Sequence, residues 1–82
     1  MDQQNSPDKT VLERITELAH EEQRLYGHPS LTDQDQVRLR DIQVALDQCW
    51  DLLRQRRARR EFGQDPEDAK IRPASVVERY EQ

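Results

Sequence analysis

Few side chains in this sequence could do chemistry, and only one pair has a spacing with a recognised chemical use. Glu17 and His20 match the Glu-x-x-His pattern with which helix bundles hold two metal ions, where both side chains point into the bundle core. Leu18 lies between them on an apolar helix face, so Glu17 and His20 point away from the core. Asp47 and Asp51 also lie off the apolar face of their helix, so no second carboxylate faces inward. We therefore expect no metal site.

Cys49 is the only cysteine, which excludes a disulfide within the chain. It lies on the apolar face of its helix, and no histidine is placed nearby to activate the thiol. Buried cysteines usually pack as small hydrophobic residues. No nucleotide-binding or other catalytic motif is present. The sequence therefore predicts a protein that is not an enzyme and needs no cofactor.

Five arginines lie close together near the end of a long helical pattern. They are Arg54, Arg56, Arg57, Arg59 and Arg60. Guanidinium groups suit phosphate oxygens, and helical spacing places several of them on one face, which favours nucleic-acid binding. Arginines also complement the C-terminal end of a helix dipole, and acidic residues follow closely enough to pair with them. Because only Phe62 is adjacent for base stacking, we favour the structural role and keep nucleic-acid binding as the alternative.

Composition predicts one small domain with a thin core. The 82 residues are 33% hydrophobic and 37% charged, and the net charge of −4 argues against nucleic-acid affinity of the whole chain. Such a composition also suits disorder, but the apolar residues recur with helical periodicity. No apolar run approaches the roughly 20 residues of a membrane span, and the polar start does not resemble a signal peptide. We expect a soluble cytoplasmic protein with no membrane partner.

The first helix is predicted from Pro7 to Tyr26, after a disordered N-terminus over residues 1–6. Ser6 is its expected cap, and proline is tolerated in a first helical turn. The glycine and proline of residues 27–30 end it. Its apolar face comprises Val11, Ile15, Leu18 and Leu25.

The second helix is predicted over residues 33–62, with Thr32 as its cap and Gly63 at its end. Its apolar face comprises Leu39, Ile42, Leu46, Cys49 and Leu53. A short connection makes two helices antiparallel neighbours, so residues 7–63 form a helical hairpin. When the two apolar faces are paired outward from the turn, the first helix ends opposite a point near Leu53 of the second. We expect the last two turns of the second helix to extend beyond it.

Residues 64–82 are predicted to form a C-terminal arm. It should contain one helical turn over residues 65–70 and a last short helix over residues 76–80, capped by Ser75. We expect the arm to fold back, or to cross to a partner subunit, and to pack against residues 54–62. The acidic side chains of the arm would then pair with the arginine run.

The second helix has apolar residues over a wider arc than one partner helix can cover. Trp50 and Leu52 flank its apolar face on either side. The surplus predicts a homodimer with these two residues at the contact, giving a four-helix bundle, unless the arm covers them. Glu22 interrupts the apolar face of the first helix, and we expect it to pair with Arg38 across the hairpin because an unpaired buried carboxylate is costly.

The second half of the chain also contains a distinctive set of motifs. They are LDQCWDLLRQRRARR at 46–60, then Gly63, Asp65-Pro66, Ala69-Lys70 and Arg72-Pro73. Together they closely resemble a family of short actinobacterial proteins that is classed only as a domain of unknown function. The resemblance covers about residues 39–80 and implies a bacterial cytoplasmic origin. It implies no activity, cofactor or catalytic residue.

These observations predict an all-α protein, a helical hairpin with a short arm that pairs as a homodimer. We expect it to act as a small interaction or scaffolding protein for a protein partner that the sequence does not identify. The alternative is an accessory protein that binds nucleic acid through the arginine run.

Overall fold

A computed structural model describes residues 7–77, and in this part of the chain the fold is all-α, as predicted. Helix α1 spans Pro7–Tyr26 and helix α2 spans Asp33–Glu61. A 3₁₀ turn at Pro66–Asp68 and the short helix α3, Ala74–Val77, follow. The predicted cap of α1 and the predicted disorder of the N-terminus lie outside the described residues.

Both ends of α2 are fixed by local hydrogen bonds. The Asp35 N–H donates to Thr32 Oγ1 over 3.0 Å, and the Thr32 N–H donates to Asp35 Oδ2 over 3.2 Å, which makes a capping box. At the other end Gly63 has a φ of 73°, the left-handed conformation that glycine adopts at little cost. The Gly63 N–H then reaches the Arg60 carbonyl and the Gln64 N–H reaches the Arg59 carbonyl, so the last carbonyls of the helix are satisfied.

The two long helices pack as an antiparallel hairpin around one narrow core. Its buried centre is Ile15, Leu18, Ile42 and Cys49. Around it pack Val11, Leu25, Ala45, Leu46 and Leu53. The predicted apolar faces therefore supply the core, and Leu39 is buried as well. Burial raises the pKa of the Cys49 thiol, so this side chain remains protonated at neutral pH.

The predicted pairing of Glu22 with Arg38 is wrong. Arg38 instead binds the neighbouring Glu21, with 2.6 Å from Nε to Oε2 and 2.7 Å from Nη2 to Oε1. One residue is a rotation of about 100° around a helix, and Glu21 is the one that this rotation brings to Arg38. The bonds from Arg38 hold the pKa of Glu21 below its usual value.

The arm folds back on its own chain, and both the 3₁₀ turn and α3 contact α2. The 3₁₀ turn begins after the Asp65 cap as predicted but ends at Asp68, before the expected limit. Helix α3 begins at Ala74, two residues earlier than predicted, because the Pro73 carbonyl accepts the N–H groups of Val76 and Val77. The end of the predicted last helix lies outside the described residues.

Candidate interaction surface

Helix α2 presents three faces: α1 covers one, and the arm covers a second over residues 48–55. A residue advances about 100° around an α-helix, so positions spaced by three and four residues share a face. The inner face contacts α1 and carries Ile42 and Cys49. The arm face carries Gln48, Asp51 and Gln55, whose side chains all bond to the arm or to each other. The remaining third of the circumference we call the outer face.

On the inner face, two residues of the arginine run bind the first turn of α1. Arg56 Nη1 lies 3.4 Å from Asp8 Oδ1, and Arg60 Nη2 bonds to the other carboxylate oxygen of Asp8. Long side chains of the predicted overhang of α2 therefore bind back to the first turn of α1. The overhang itself stays a prediction.

The rest of the arginine run is bound mainly within α2 and the following turn. Arg57 Nε lies 3.4 Å from Glu61, and Arg59 Nη1 lies 3.5 Å from Gln64 Oε1. The ion pairs of Arg56, Arg57 and Arg60 thus use Asp8 and Glu61, and the prediction that these three meet acidic residues of the arm is wrong for the part of the arm up to residue 77. The last two acidic residues of the chain lie outside that part.

The arm face holds a fully buried carboxylate that the sequence analysis placed off the core. Asp51 accepts from Arg72 Nε over 2.9 Å and from Arg72 Nη2 over 2.5 Å, and Gln55 Nε2 donates to it over 2.9 Å. The side chains of Gln55 and Gln48 also donate to the carbonyls of Lys70 and Arg72. The arm is therefore held along two turns of α2 by side chain to backbone bonds around one bidentate ion pair.

The bonds from Arg72 hold the pKa of Asp51 below its usual value, although burial acts in the opposite direction. A spacing rule could not find this pair, because Arg72 lies 21 residues further along the chain and reaches Asp51 only when the arm folds back. The sequence did contain one signal for this pair. Asp51 lies beside Leu52 on a helix surface that is too apolar to stay exposed, and a carboxylate that becomes buried needs a cation as its partner.

Leu52 and Trp50, both predicted at a dimer contact, lie on different faces. Leu52 is on the arm face and only 6% exposed, so it is part of the interior of the single chain. The surplus apolar surface at Leu52 is thus covered by the arm, the alternative left open above. Trp50 is 46% exposed and is the large apolar side chain of the outer face.

The outer face is a stripe along the whole of α2. It consists of Gln36, Arg40, Gln43, Asp47, Trp50, Arg54, Arg57 and Glu61. All are exposed except Asp47, which is half-buried. Gln43 of this stripe bonds to α1, with 3.5 Å from Nε2 to the Tyr26 hydroxyl. The outer face is therefore a surface of α2 that another molecule can reach.

Within residues 7–77, no cluster of three or more His, Cys, Asp or Glu side chains has a geometry that could hold a metal ion. Glu17 and His20, the pair with di-metal spacing, are both exposed. Over the same residues, no helix is long and apolar enough to cross a membrane.

Comparison with known proteins places the chain in a family. A family model described as a protein of unknown function (DUF2630) matches residues 7–82, which confirms the resemblance noted in the sequence. Uncharacterized proteins of Mycobacterium bovis and of Mycobacterium tuberculosis strain H37Rv are each 47% identical over 77 residues. The alignment covers 89% of this chain and 88% of each relative. No solved structure matches the chain.

Proposed function

The chain belongs to the DUF2630 family of proteins of unknown function, and for this member we propose a non-catalytic role as a small cytoplasmic protein that binds another macromolecule through the outer face of α2. The observation that carries this proposal is Trp50. Large aromatic side chains contribute disproportionately to binding, and a folded chain gains by covering them. Trp50 is nevertheless left 46% exposed in the middle of the longest helix.

The rest of the outer face supports recognition rather than catalysis. Charged and amide side chains precede and follow Trp50 along the outer face, as polar groups border an apolar anchor in an interface. The groups that could carry chemistry are held elsewhere. The Cys49 thiol is buried, and the Asp51 carboxylate is fully occupied by Arg72 and Gln55.

The proposal can be tested by photo-cross-linking in actinobacterial cells. A photoreactive amino acid placed at Gln43, one heptad before Trp50, should form cross-linked products. The same probe at Glu13, an exposed residue of α1, should not. Trp50→Ala should remove the products formed from Gln43. Equal labelling from both positions, or no product from Gln43, would show that the outer face is not the binding surface.

Nucleic-acid binding is the second candidate function, and one observation favours it. The exposed residues Arg54 and Arg57 follow Trp50 by one and two helical turns. Aromatic side chains that stack on bases, beside guanidinium groups that bind phosphate, are typical of proteins that bind single-stranded nucleic acid. Against it, Arg56 and Arg60 are bound to Asp8. A fluorescence anisotropy titration with a single-stranded oligonucleotide decides between the two, because phosphate binding weakens steeply as salt rises.

A further inference from the structure

The outer face of α2 is complementary to itself when one copy is turned end for end. We propose that its partner is the outer face of a second copy of this chain, with the two α2 helices antiparallel and their twofold axis beside Trp50. This inference rests on the proposed role of the outer face as a binding surface and names the molecule that it binds.

The charges along the outer face alternate at intervals of seven residues. They are Arg40, Asp47, Arg54 and Glu61. Seven residues are close to two helical turns, so these side chains follow one line along the helix. Arg40 lies as far before the midpoint between Trp50 and Asp51 as Glu61 lies after it. The same holds for Asp47 and Arg54.

An antiparallel pair centred at this midpoint therefore places opposite charges at equal heights. Arg40 of each copy faces Glu61 of the other, and Asp47 faces Arg54. Twofold symmetry doubles each pair, as in any isologous interface. Glu61 also pairs with Arg57 of its own chain at 3.4 Å, but both side chains are well exposed and can take an additional partner.

A parallel pair places every charge of the outer face against its own copy. Arginine then meets arginine at positions 40, 54 and 57, and acid meets acid at Asp47 and Glu61. Exposed ion pairs add little affinity, but like charges in juxtaposition disfavour an arrangement strongly. The charge pattern thus selects the antiparallel orientation, and the affinity must come from another group.

Trp50 supplies that group. In the antiparallel pair the two Trp50 residues lie within about 1.5 Å of the same height, so each indole can cover the other. Gln43 and Arg57, one heptad away on either side, then face each other without like-charge repulsion. With one aromatic anchor per copy the apolar contact is small, and we expect a weak dimer that forms as protein concentration rises.

The outer face suits the other occupants less well. A nucleic acid would meet Asp47 and Glu61 among the arginines, which repel phosphate. An amphipathic helix from another protein needs a groove for several apolar anchors, and Trp50 stands alone on this stripe. Both occupants remain separable from self-association by experiment.

Sedimentation of the full-length protein from about 10 μM to 1 mM tests the assembly. We expect association that Trp50→Ala weakens by at least about tenfold. Asp47→Arg and Arg54→Glu should each weaken it, because each change creates like-charge contacts across the interface. The double variant should restore it, because the pairs reform with reversed signs. Circular dichroism checks that each variant remains helical.

A spin label at Gln36, in a Cys49→Ala background, tests the orientation. Antiparallel helices centred beside Trp50 separate the two labels by about 40–45 Å, whereas parallel helices bring them within about 10–15 Å. The long distance supports the proposal, and the short distance overturns it. A monomer at 1 mM, an association insensitive to Trp50→Ala, or a double variant as weak as the single ones also overturns it.

The two proposals fail in different ways. A protein that stays monomeric at 1 mM but forms cross-links from Gln43 to a different macromolecule keeps its binding face and loses the second copy as its partner. A protein that associates without involving Trp50 and gives no product from Gln43 loses both.

Discussion

At the scale of single residues, the Asp51–Arg72 pair explains why the arm stays on the hairpin. Asp51 is fully buried, and a buried charge without a partner costs far more than a buried pair gains. The closed arm therefore requires the ion pair, because it buries Asp51. When Arg72 is removed, the arm must open so that water can reach the Asp51 carboxylate. Gln55 contributes a third bond but carries no charge to offset that of Asp51.

Arg72→Ala should therefore destabilise the chain by about 1–3 kcal/mol, measured by chemical denaturation. The upper end is limited because opening the arm relieves the unpaired carboxylate. Lys70→Ala is the matched control, because Lys70 contributes its carbonyl to Gln55 while its side chain points to solvent. Hydrogen exchange of the backbone amides should be faster in the arm of the Arg72→Ala variant, and unchanged in the arm of the Lys70→Ala variant. Equal stability of the two variants would mean that the ion pair does not hold the arm.

The same pair predicts a pH dependence with a definite sign. The pKa of Asp51 is lowered in the folded chain, chiefly by the bonds from Arg72, so the folded state binds this proton more weakly than the unfolded state. Asp51 therefore stabilises the fold above its unfolded pKa of about 3.9 and loses that contribution as pH falls through the lower folded value.

The free energy of unfolding should fall between about pH 5 and pH 2, and Asp51→Asn should make that fall shallower. Glu21 and Asp35, whose pKa values are also lowered, contribute to the part that remains. Asp68→Asn, at an exposed acidic residue of the arm, serves as the comparison. If the Asp51 and Asp68 variants have the same slope against pH, the lowered pKa of Asp51 plays no part in stability.

At the scale of the elements, the two glycines at helix ends have different reasons to be there. Gly63 needs a left-handed backbone to close the end of α2, and a side chain in that conformation is strained even though a Cβ there would meet no other atom. Gly27 has no such requirement. A Cβ on Gly27 would lie 3.4 Å from the Arg24 carbonyl oxygen, an ordinary contact.

Gly63→Ala should cost about 1–2 kcal/mol of unfolding free energy, and Gly27→Ala should cost less or stabilise slightly by restricting the unfolded chain. Thermal unfolding of the two variants followed by circular dichroism measures the difference. A larger loss for the Gly27 variant would contradict the view that conformation, rather than space, decides these positions.

The elements themselves were largely predictable from sequence, but the contacts between them were less so. The bounds of α1 and the start of α2 followed from Pro7, Thr32 and the heptad-like apolar faces, because capping and periodicity are local signals. The ion pairs across the hairpin did not follow, because periodicity indicates which residues share a face but not which of two neighbouring side chains meets a given partner. Glu21 rather than Glu22 therefore binds Arg38, and Asp8 binds Arg56.

At the scale of the whole molecule, α2 organises everything else. α1 packs on its inner face and the arm packs on its arm face, while the 3₁₀ turn and α3 contact α2. A chain of 82 residues with a thin core depends on such sharing, because a small domain has little stability to spare. A second copy on the outer face would cover a further face of α2, and association of this kind stabilises a marginal hairpin.

Removing residues 64–82 should weaken the fold without creating a nucleic-acid-binding protein. The deletion removes the buried contact of Val77 and exposes Leu52, each worth about 1.5–3 kcal/mol, but it also removes the entropy cost of ordering the arm, so we expect a net loss on the order of 2 kcal/mol. The sequence predicts that the acidic residues of the arm pair with the arginines and so mask them. In the structure Asp8 holds Arg56 and Arg60, and it stays in place when the arm is removed.

The decisive comparison is between this truncation and Asp8→Ala in the full chain. Asp8→Ala removes the carboxylate from Arg56 and Arg60, so any latent phosphate affinity of the run should emerge in that variant and not in the truncated one. Glu13→Ala, which removes an exposed acidic residue of α1, corrects for the change in net charge. Oligonucleotide anisotropy across a salt series measures all three. Salt-sensitive binding by the truncated chain alone would restore the arm as the mask and show that Asp8 does not neutralise the arginines.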